Sequence, residues 1–467
     1  MDKQLLEKRS LDRTAYTVNG DSITYRELIG RAEIYADRLL RQGAGPVILY
    51  GHKSIDMVLS ILSCILAHRP YIPVDSSQPI LRVEKISALS QADLLIAHDK
   101  IDIDGIACMP LKELERYREK EKNRVPAEFA YIIFTSGSTG DPKGVPITRA
   151  NLANFIGWIG SLPPLQAFRH IHVLNTANFS FDLSVADLFY SIYHGHTLVG
   201  LDSRAAGDYT GLFRLMRQNP VRLAVMTPTF LKLCLTNAEF NESNYPHLDC
   251  IYLCGEILEK KTVRKLFERF PAVSVINAYG PTEATCAVAG ILLTKDMLDR
   301  EDELPVGDMR HTATMIAIEN GEIVLKGPSV FPGYLNHTGG HYLENAVHCY
   351  RTGDLGAIKD NKLYYIGRKD NQIKRNGYRI ELEDIEKNIH RIAGVRDCAV
   401  VCQRNLDGAV KFLKAFVVLD EGIAVEYVKD ELSKRIPGYM MPKVLRQIDA
   451  LPINSNGKVD RKRLSER

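Results

Sequence analysis

Residues 129–144, FAYIIFTSGSTGDPKG, join an apolar run long enough for a buried strand to a polar segment with glycine at 137, 140 and 144. Glycines let successive backbone N–H groups turn toward an anion, while Thr135, Ser136, Ser138 and Thr139 add hydroxyl donors and Lys143 adds a positive charge. The chemistry that composition suits is phosphate handling. It is not a Walker A loop, because Pro142 precedes Lys143 and Gly144 follows it, where that motif needs Gly-Lys-Ser/Thr. A second cluster, NAYGPTE at 277–283, offers an aromatic face in Tyr279, a hydroxyl in Thr282 and a hard oxygen ligand suited to Mg²⁺ in Glu283. Gly280-Pro281 alone would be only a turn.

The elements that position these groups follow a rhythm. From residue 25 to about 277 short β-rich runs alternate with helical patterns: 47–50, an apolar helix after Ser54, 71–74, then 171–174, 223–226, and 251–253 ahead of a charged helix near 259–270. This predicts an α/β fold with largely parallel strands, whose ligands gather at the strands' carboxyl ends. The string FSFDLSV at 179–185 opens a helix that stops near His194 at Gly195. Asp182 there reads equally as a helix-start carboxylate favoured by the macrodipole. After Glu303 short strands and turns predict a small β-rich subdomain. Residues 371–467 form a small α+β unit, with helices near 382–392 and 425–435 and strands near 395–401 and 412–419.

With 467 residues, two or more domains are expected. A net charge of +3 argues against a dedicated nucleic-acid binder. Residues 371–467 carry 19 Lys and Arg against 14 Asp and Glu, a mildly basic end. Nine cysteines lack paired CxxC spacing and read as free thiols in a reducing compartment. The charged N-terminus has no signal-peptide core, and the apolar run 57–67 is too short to span a bilayer. A cytoplasmic protein without membrane attachment is expected.

The string at 129–144 resembles the signature of adenylate-forming enzymes, the superfamily of acyl-CoA synthetases, luciferases and nonribosomal peptide synthetase adenylation domains, and NAYGPTE matches a second signature. The resemblance runs over residues 24–464, with six motifs in their usual order. It implies a large N-terminal domain of layered α/β subdomains plus a small β-rich one, residues 1–370, and a mobile α+β C-terminal lid, 371–467, turning about a hinge at Asp370. It implies ATP and Mg²⁺ as cofactors. Thr135, Ser136, Thr139 and Lys143 are carried over to the ATP phosphates, Tyr279 to the adenine, and Asn277 to the bound ATP. Thr282 falls to the α-phosphate, Glu283 to the metal, and Asp354 and Arg368 to the ribose, where one carboxylate can accept from two hydroxyls. Lys458, by default a solubilising tail charge, becomes the catalytic lysine that neutralises the substrate carboxylate and α-phosphate.

The resemblance also makes Asp182 the anchor of a substrate ammonium, a residue that ligases of uncharged acids do not need. Cys254, in CGE, together with MTPTFLKLCL and TEATCAVAG, looks most like the D-alanine ligases that load a D-alanyl carrier protein, where the cysteine disfavours the wrong enantiomer. Leu183, Ala186, Gly280 and Cys286 complete the implied pocket. That subgroup is expected to carry a bulkier residue, such as methionine, at Ala186 and valine at Cys286, so a larger or L amino acid in a natural-product pathway is a rival. Two departures, a shortened segment before Gly321 and a compact stretch at 336–348, lie away from the motifs. The implied reaction makes aminoacyl-AMP, then passes the aminoacyl group to a phosphopantetheine thiol. Because the chain stops at Arg467, a free-standing carrier protein is the expected partner, its thiol arriving past the loop around Gly377. An acyl-CoA ligase and a non-catalytic adenylate binder remain as alternatives.

Overall fold

The computed structural model describes residues 11–97, 101–115, 128–137, 140–201, 209–375, 377–404, 410–453 and 459–466. Strand periodicity decides the layering. Along Val47–Tyr50, Val47 and Leu49 enter one core while Ile48 and Tyr50 enter another, and along Val221–Met226, Leu223 and Val225 part from Ala224 and Met226 in the same way. Both sheets are thus buried on two faces, which is why their strands read as continuous apolar runs.

The six-stranded sheet runs Ala107–Pro110, Leu94–Ala97, Val47–Tyr50, Tyr71–Val74 and Phe129–Thr135 in parallel, closed by the antiparallel Lys143–Thr148. The eight-stranded sheet has Ser274–Tyr279, Cys250–Leu253, Val221–Met226, His172–Asn175, Thr197–Gly200 and Thr14–Val18 in parallel, with an antiparallel strand at each edge. Helices Tyr25–Gln42, Ile55–Leu66, Arg149–Ser161 and Leu183–His194 fill the core between the two. Thr24 and Thr148 close capping boxes with Glu27 and Asn151, and Ser54 and Thr227 cap two further helices.

Residues 307–368 build an antiparallel sheet around the long strand Val347–Lys359, whose partner Lys362–Arg368 sets Asp354 directly opposite Arg368. The shortened segment before Gly321 is a tight hairpin, with Asn320 and Gly321 both at positive φ. Beyond it, the hairpin Ile373–Arg375/Tyr378–Ile380 leads to helix Leu382–His390 and a three-stranded sheet of Val395–Arg404, Val410–Leu419 and Val444–Gln447. Buried apolar side chains of this C-terminal part form cores of their own, drawn from residues 373–440 and 399–464. The architecture is mixed α/β, a large N-terminal part followed by a small C-terminal one. Among the described residues no helix is long and apolar enough to cross a membrane, and the nine cysteines are free thiols.

Candidate active site

Strand Phe129–Thr135 delivers the glycine-rich loop to the edge of its sheet, with Thr135 opposite Lys143 at the mouth of the hairpin. Ser136 and Lys143 are buried there. Thr139 and Lys458 lie outside the described residues. Above the carboxyl ends of the eight-stranded sheet a cavity of about 600 Å³ is walled by Asp182, Leu183, Cys254, Gly280 and Cys286. A second of about 390 Å³ adjoins it, sharing Gly280 and Arg368 and reaching Asn277 and Tyr279. Gly280 is required by close approach, since a Cβ there would lie 2.4 Å from Ala287 Cα.

Asp182 stands at the N-cap of helix Leu183–His194 yet makes no side-chain cap bond. Its Oδ2 instead accepts from Thr282 Oγ1 at 2.6 Å, across the cavity mouth. Burial pushes this carboxyl above its ordinary value, against the Thr282 hydrogen bond and the Lys374 charge. A half-buried carboxylate raised in this way gains from a cation placed in the cavity. Cys254 ends the strand Cys250–Leu253, and burial pushes its thiol up to about 12, so it is a neutral wall rather than a nucleophile. Cys286 follows Thr285 with both at positive φ, a conformation non-glycine residues rarely hold and one associated with sites held under constraint. Ala186 is fully buried with its backbone beside the Cys286 thiol, behind the cavity wall rather than on it.

In the adjoining cavity the Tyr279 hydroxyl donates to Asp354 Oδ2 at 2.7 Å, and Arg368 Nη1 lies 2.6 Å from Asp354 Oδ1. Each carboxylate oxygen keeps a further lone pair for a hydroxyl. Arg368 also clasps Asp370 with two bonds of 2.6 and 2.7 Å, tying the Asp354 carboxylate to the start of the C-terminal part. Asn277 spends one amide hydrogen on Pro305 O at 2.8 Å.

The C-terminal hairpin enters this region, a feature sequence reading missed. Arg379 Nη1 lies 2.5 Å from Glu283 Oε2, and the Tyr334 hydroxyl donates to Glu283 Oε1 at 2.6 Å. Although burial acts to raise it, the Arg379 charge and the Tyr334 hydrogen bond hold the Glu283 carboxyl down at about 2. Lys143 Nζ lies 3.1 Å from Glu381 Oε1, and Ser136 Oγ donates to Arg379 O and accepts from Glu381 N. Gly377, at φ +82, donates to Glu256 Oε1 at 2.9 Å. The signal available in sequence was the Asn376-Gly377 turn pair between two short runs that mix basic and apolar residues, 373–375 and 378–380. Which core groups it would meet is a tertiary matter.

Residues 3–335 match the AMP-binding enzyme family and residues 384–458 the AMP-binding enzyme C-terminal domain. D-alanine–D-alanyl carrier protein ligases of Listeria monocytogenes and Bacillus licheniformis are each 37% identical to this chain, covering 98% and 97% of it and 96% of each relative. Among solved structures, the Vibrio cholerae adenylation domain AlmE in complex with glycyl-adenosine-5′-phosphate superposes with a TM-score of 0.83 at 22% identity, over 99% of this chain and 97% of that one. PA1221, a nonribosomal peptide synthetase protein containing adenylation and carrier domains, gives 0.79 at 24%, over 97% and 94%. These two share the fold; the match over most of the chain's length, with the curated relatives beside it, carries more. The chain belongs to the AMP-binding enzyme family.

Proposed function

We propose that this protein is an AMP-forming ligase that activates a small amino acid, D-alanine first, with ATP and Mg²⁺ and passes it to the phosphopantetheine thiol of a separate carrier protein. The observation that carries the reading is Asp182, a helix-start carboxylate that leaves its helix uncapped and turns toward the cavity walled by Cys254. The two ligase relatives, named for D-alanine and its carrier, support the substrate and the partner. Free thiols throughout agree with work in the cytoplasm, where ATP is supplied.

In this reaction Asp182 accepts the substrate ammonium, and Cys254 with Leu183 and Cys286 limits the side chain and its stereochemistry. Thr135, Ser136, Thr139 and Lys143 hold the phosphates, Thr282 the α-phosphate, and Tyr279, Asn277, Asp354 and Arg368 the adenosine. The residues present fit a divalent cation: Glu283 is a wholly buried carboxylate beside that loop, answered by a cation that another part of the chain brings. Magnesium held there supplies Lewis-acid neutralisation of phosphate charge. Lys458 neutralises the carboxylate and α-phosphate during adenylation, and residues 371–467 then turn about Asp370 to admit the thiol past Gly377. No protein nucleophile is needed; positioning and charge stabilisation carry the chemistry.

The test is amino-acid-dependent ATP–pyrophosphate exchange over both enantiomers of the small amino acids, with Lys458→Ala as control. Dominant exchange with D-alanine, lost in the control, is the expected result. Preference for a larger or L amino acid moves the determinant to Cys286, and exchange with no amino acid overturns the reading.

A further inference from the structure

Strands Val47–Tyr50 and Tyr71–Val74 run side by side with Tyr50 opposite Val74, so the residues just past them emerge together at the carboxyl edge of the six-stranded sheet. His52 and Asp75 are two of these. Asp75 is 3% exposed, and donors meet its carboxylate on both oxygens. Oδ1 accepts from Ser77 N at 2.9 Å and from the Ser77 hydroxyl, while Oδ2 accepts from Asn178 Nδ2 at 2.5 Å and lies 3.0 Å from His52 Nδ1. Although burial acts to raise it, hydrogen bonds from Ser77 and Asn178 hold this carboxyl below its ordinary value, so it is an anion at neutral pH.

Asn178 belongs to the other sheet, on the segment between strand His172–Asn175 and helix Leu183–His194. Its Oδ1 accepts from Ser180 N at 3.1 Å, which leaves the amide hydrogens for Asp75, and its carbonyl accepts from Phe181 N at 3.0 Å. One side chain thus ties the turn at 178–181 to a carboxylate 103 positions earlier. The start of the segment is pinned from the same sheet edge: Lys53 Nζ donates to Asn175 O at 2.9 Å, and Asn175 Nδ2 reaches both Asp187 oxygens at 2.9 and 2.8 Å, all three residues buried. Asn178 and Asp182 wall the same cavity, and Asp182, which makes no cap bond, takes its position from the turn before it. We propose that Asp75, backed by His52, is a positioning residue for the amino-acid site: it acts through Asn178 to set the turn that presents Asp182 to the substrate ammonium. The physical ground is that a buried anion holds its donors in fixed directions, because any donor it loses costs far more than the same bond would at the surface. This rests on the reading of the cavity as the amino-acid site of an adenylating ligase, and adds which residues behind its wall fix its shape.

The test is ATP–pyrophosphate exchange with the full chain, the KM for D-alanine, or for whichever amino acid supports most exchange, being taken separately from the KM for ATP. Asp75→Asn turns an N–H toward that of Asn178 and is expected to raise the amino-acid KM about tenfold or more while the KM for ATP stays within about twofold. The exchanged pair Asp75→Asn/Asn178→Asp reverses donor and acceptor across the same contact and should bring the amino-acid KM back to within about threefold of wild type. A merely structural role would lower the melting temperature or the active fraction without moving one KM alone. His52 has a side chain 23% exposed, so His52→Ala removes one donor at little risk to folding and should raise the same KM about threefold. An amino-acid KM that is unchanged in Asp75→Asn, that rises equally with the KM for ATP, or that does not recover in the exchanged pair overturns the role; if Asp75→Asn does not fold, an unchanged KM in His52→Ala does so in its place. Wild-type protein that exchanges with no amino acid overturns the ligase reading and this role together, whereas wild-type exchange with any of those outcomes overturns this role alone.

Discussion

Asp182 shows what one carboxylate can be asked to do. Its carboxyl is raised from the ordinary 3.8 by burial, so the folded state holds its proton more tightly than the unfolded chain. As pH rises above that ordinary value, the fold therefore carries a growing penalty at this residue that an isosteric amide avoids. Asp182→Asn is expected to melt at higher temperature than wild type at pH 7, the gap closing below about pH 4. The same substitution should weaken the amino acid by about a hundredfold or more, since it leaves a desolvated ammonium without its partner. Calorimetric melting across pH, paired with exchange kinetics, checks both halves; a variant less stable at pH 7 would show that the carboxylate is structural. Cys254→Ala is expected to keep activity and narrow the preference between alanine enantiomers, read from the ratio of their kcat/KM values. Sequence could not choose between cap and anchor for Asp182, because both readings place an aspartate one residue before a helix. The choice lies in χ angles that Thr282, a hundred residues away, decides.

At the scale of elements, the hairpin Ile373–Arg375/Tyr378–Ile380 is the decisive piece. Gly377 holds φ +82, and a Cβ there would lie 2.7 Å from Thr227 Cγ2, the cap of the next core helix. Gly377→Ala meets both backbone strain of about 1 kcal/mol and that contact. Transfer to the carrier thiol should fall about tenfold while ATP–pyrophosphate exchange stays near wild type. Equal loss of both half-reactions would show that the hairpin matters for folding and not for seating. The hairpin also sets Tyr378 edge-on to Phe181 at 4.2 Å and stacked on Tyr439 at 3.9 Å, joining core and C-terminal part through aromatic contact. Tyr378→Ala, which removes both contacts, should loosen that junction by about 1–3 kcal/mol, seen as faster amide exchange at helix Leu382–His390.

For the whole molecule, the junction between the two parts combines aromatic stacking with desolvated ion pairs, and its response to solution conditions follows. Glu283 is held down at about 2, so its contribution to docking is complete above its ordinary 4.5 and lost only as pH falls toward that lower value. Buried pairs are screened little by salt. The radius of gyration from solution scattering is therefore expected to stay constant from about pH 8 to pH 5 and up to about 0.5 M NaCl. Expansion under either change would place the junction's energy in its exposed pairs, such as Arg391 with Asp141 at 3.1 Å.

Residue order alone sets the strands, the helices and the two glycine-marked motifs, because apolar periodicity and turn chemistry act over a few residues and survive without a tertiary context. Val47–Tyr50, Phe129–Thr135 and Leu183–His194 stand within a residue of where their patterns put them. It also determined which residue types could meet an adenylate, since hydroxyls, a lysine, an aromatic face and hard carboxylates are chosen by the ligand's chemistry. Who partners whom was left to the packed chain. The placement of Ala186 behind Cys286, the turn of Asp182 to Thr282, and the meeting of Arg379 with Glu283 and Glu381 with Lys143 join residues from 96 to 238 positions apart. Such pairings are set by desolvation, which makes a buried charge take whatever opposite charge the packed chain brings within reach, and burial is a property of the fold rather than of any local stretch.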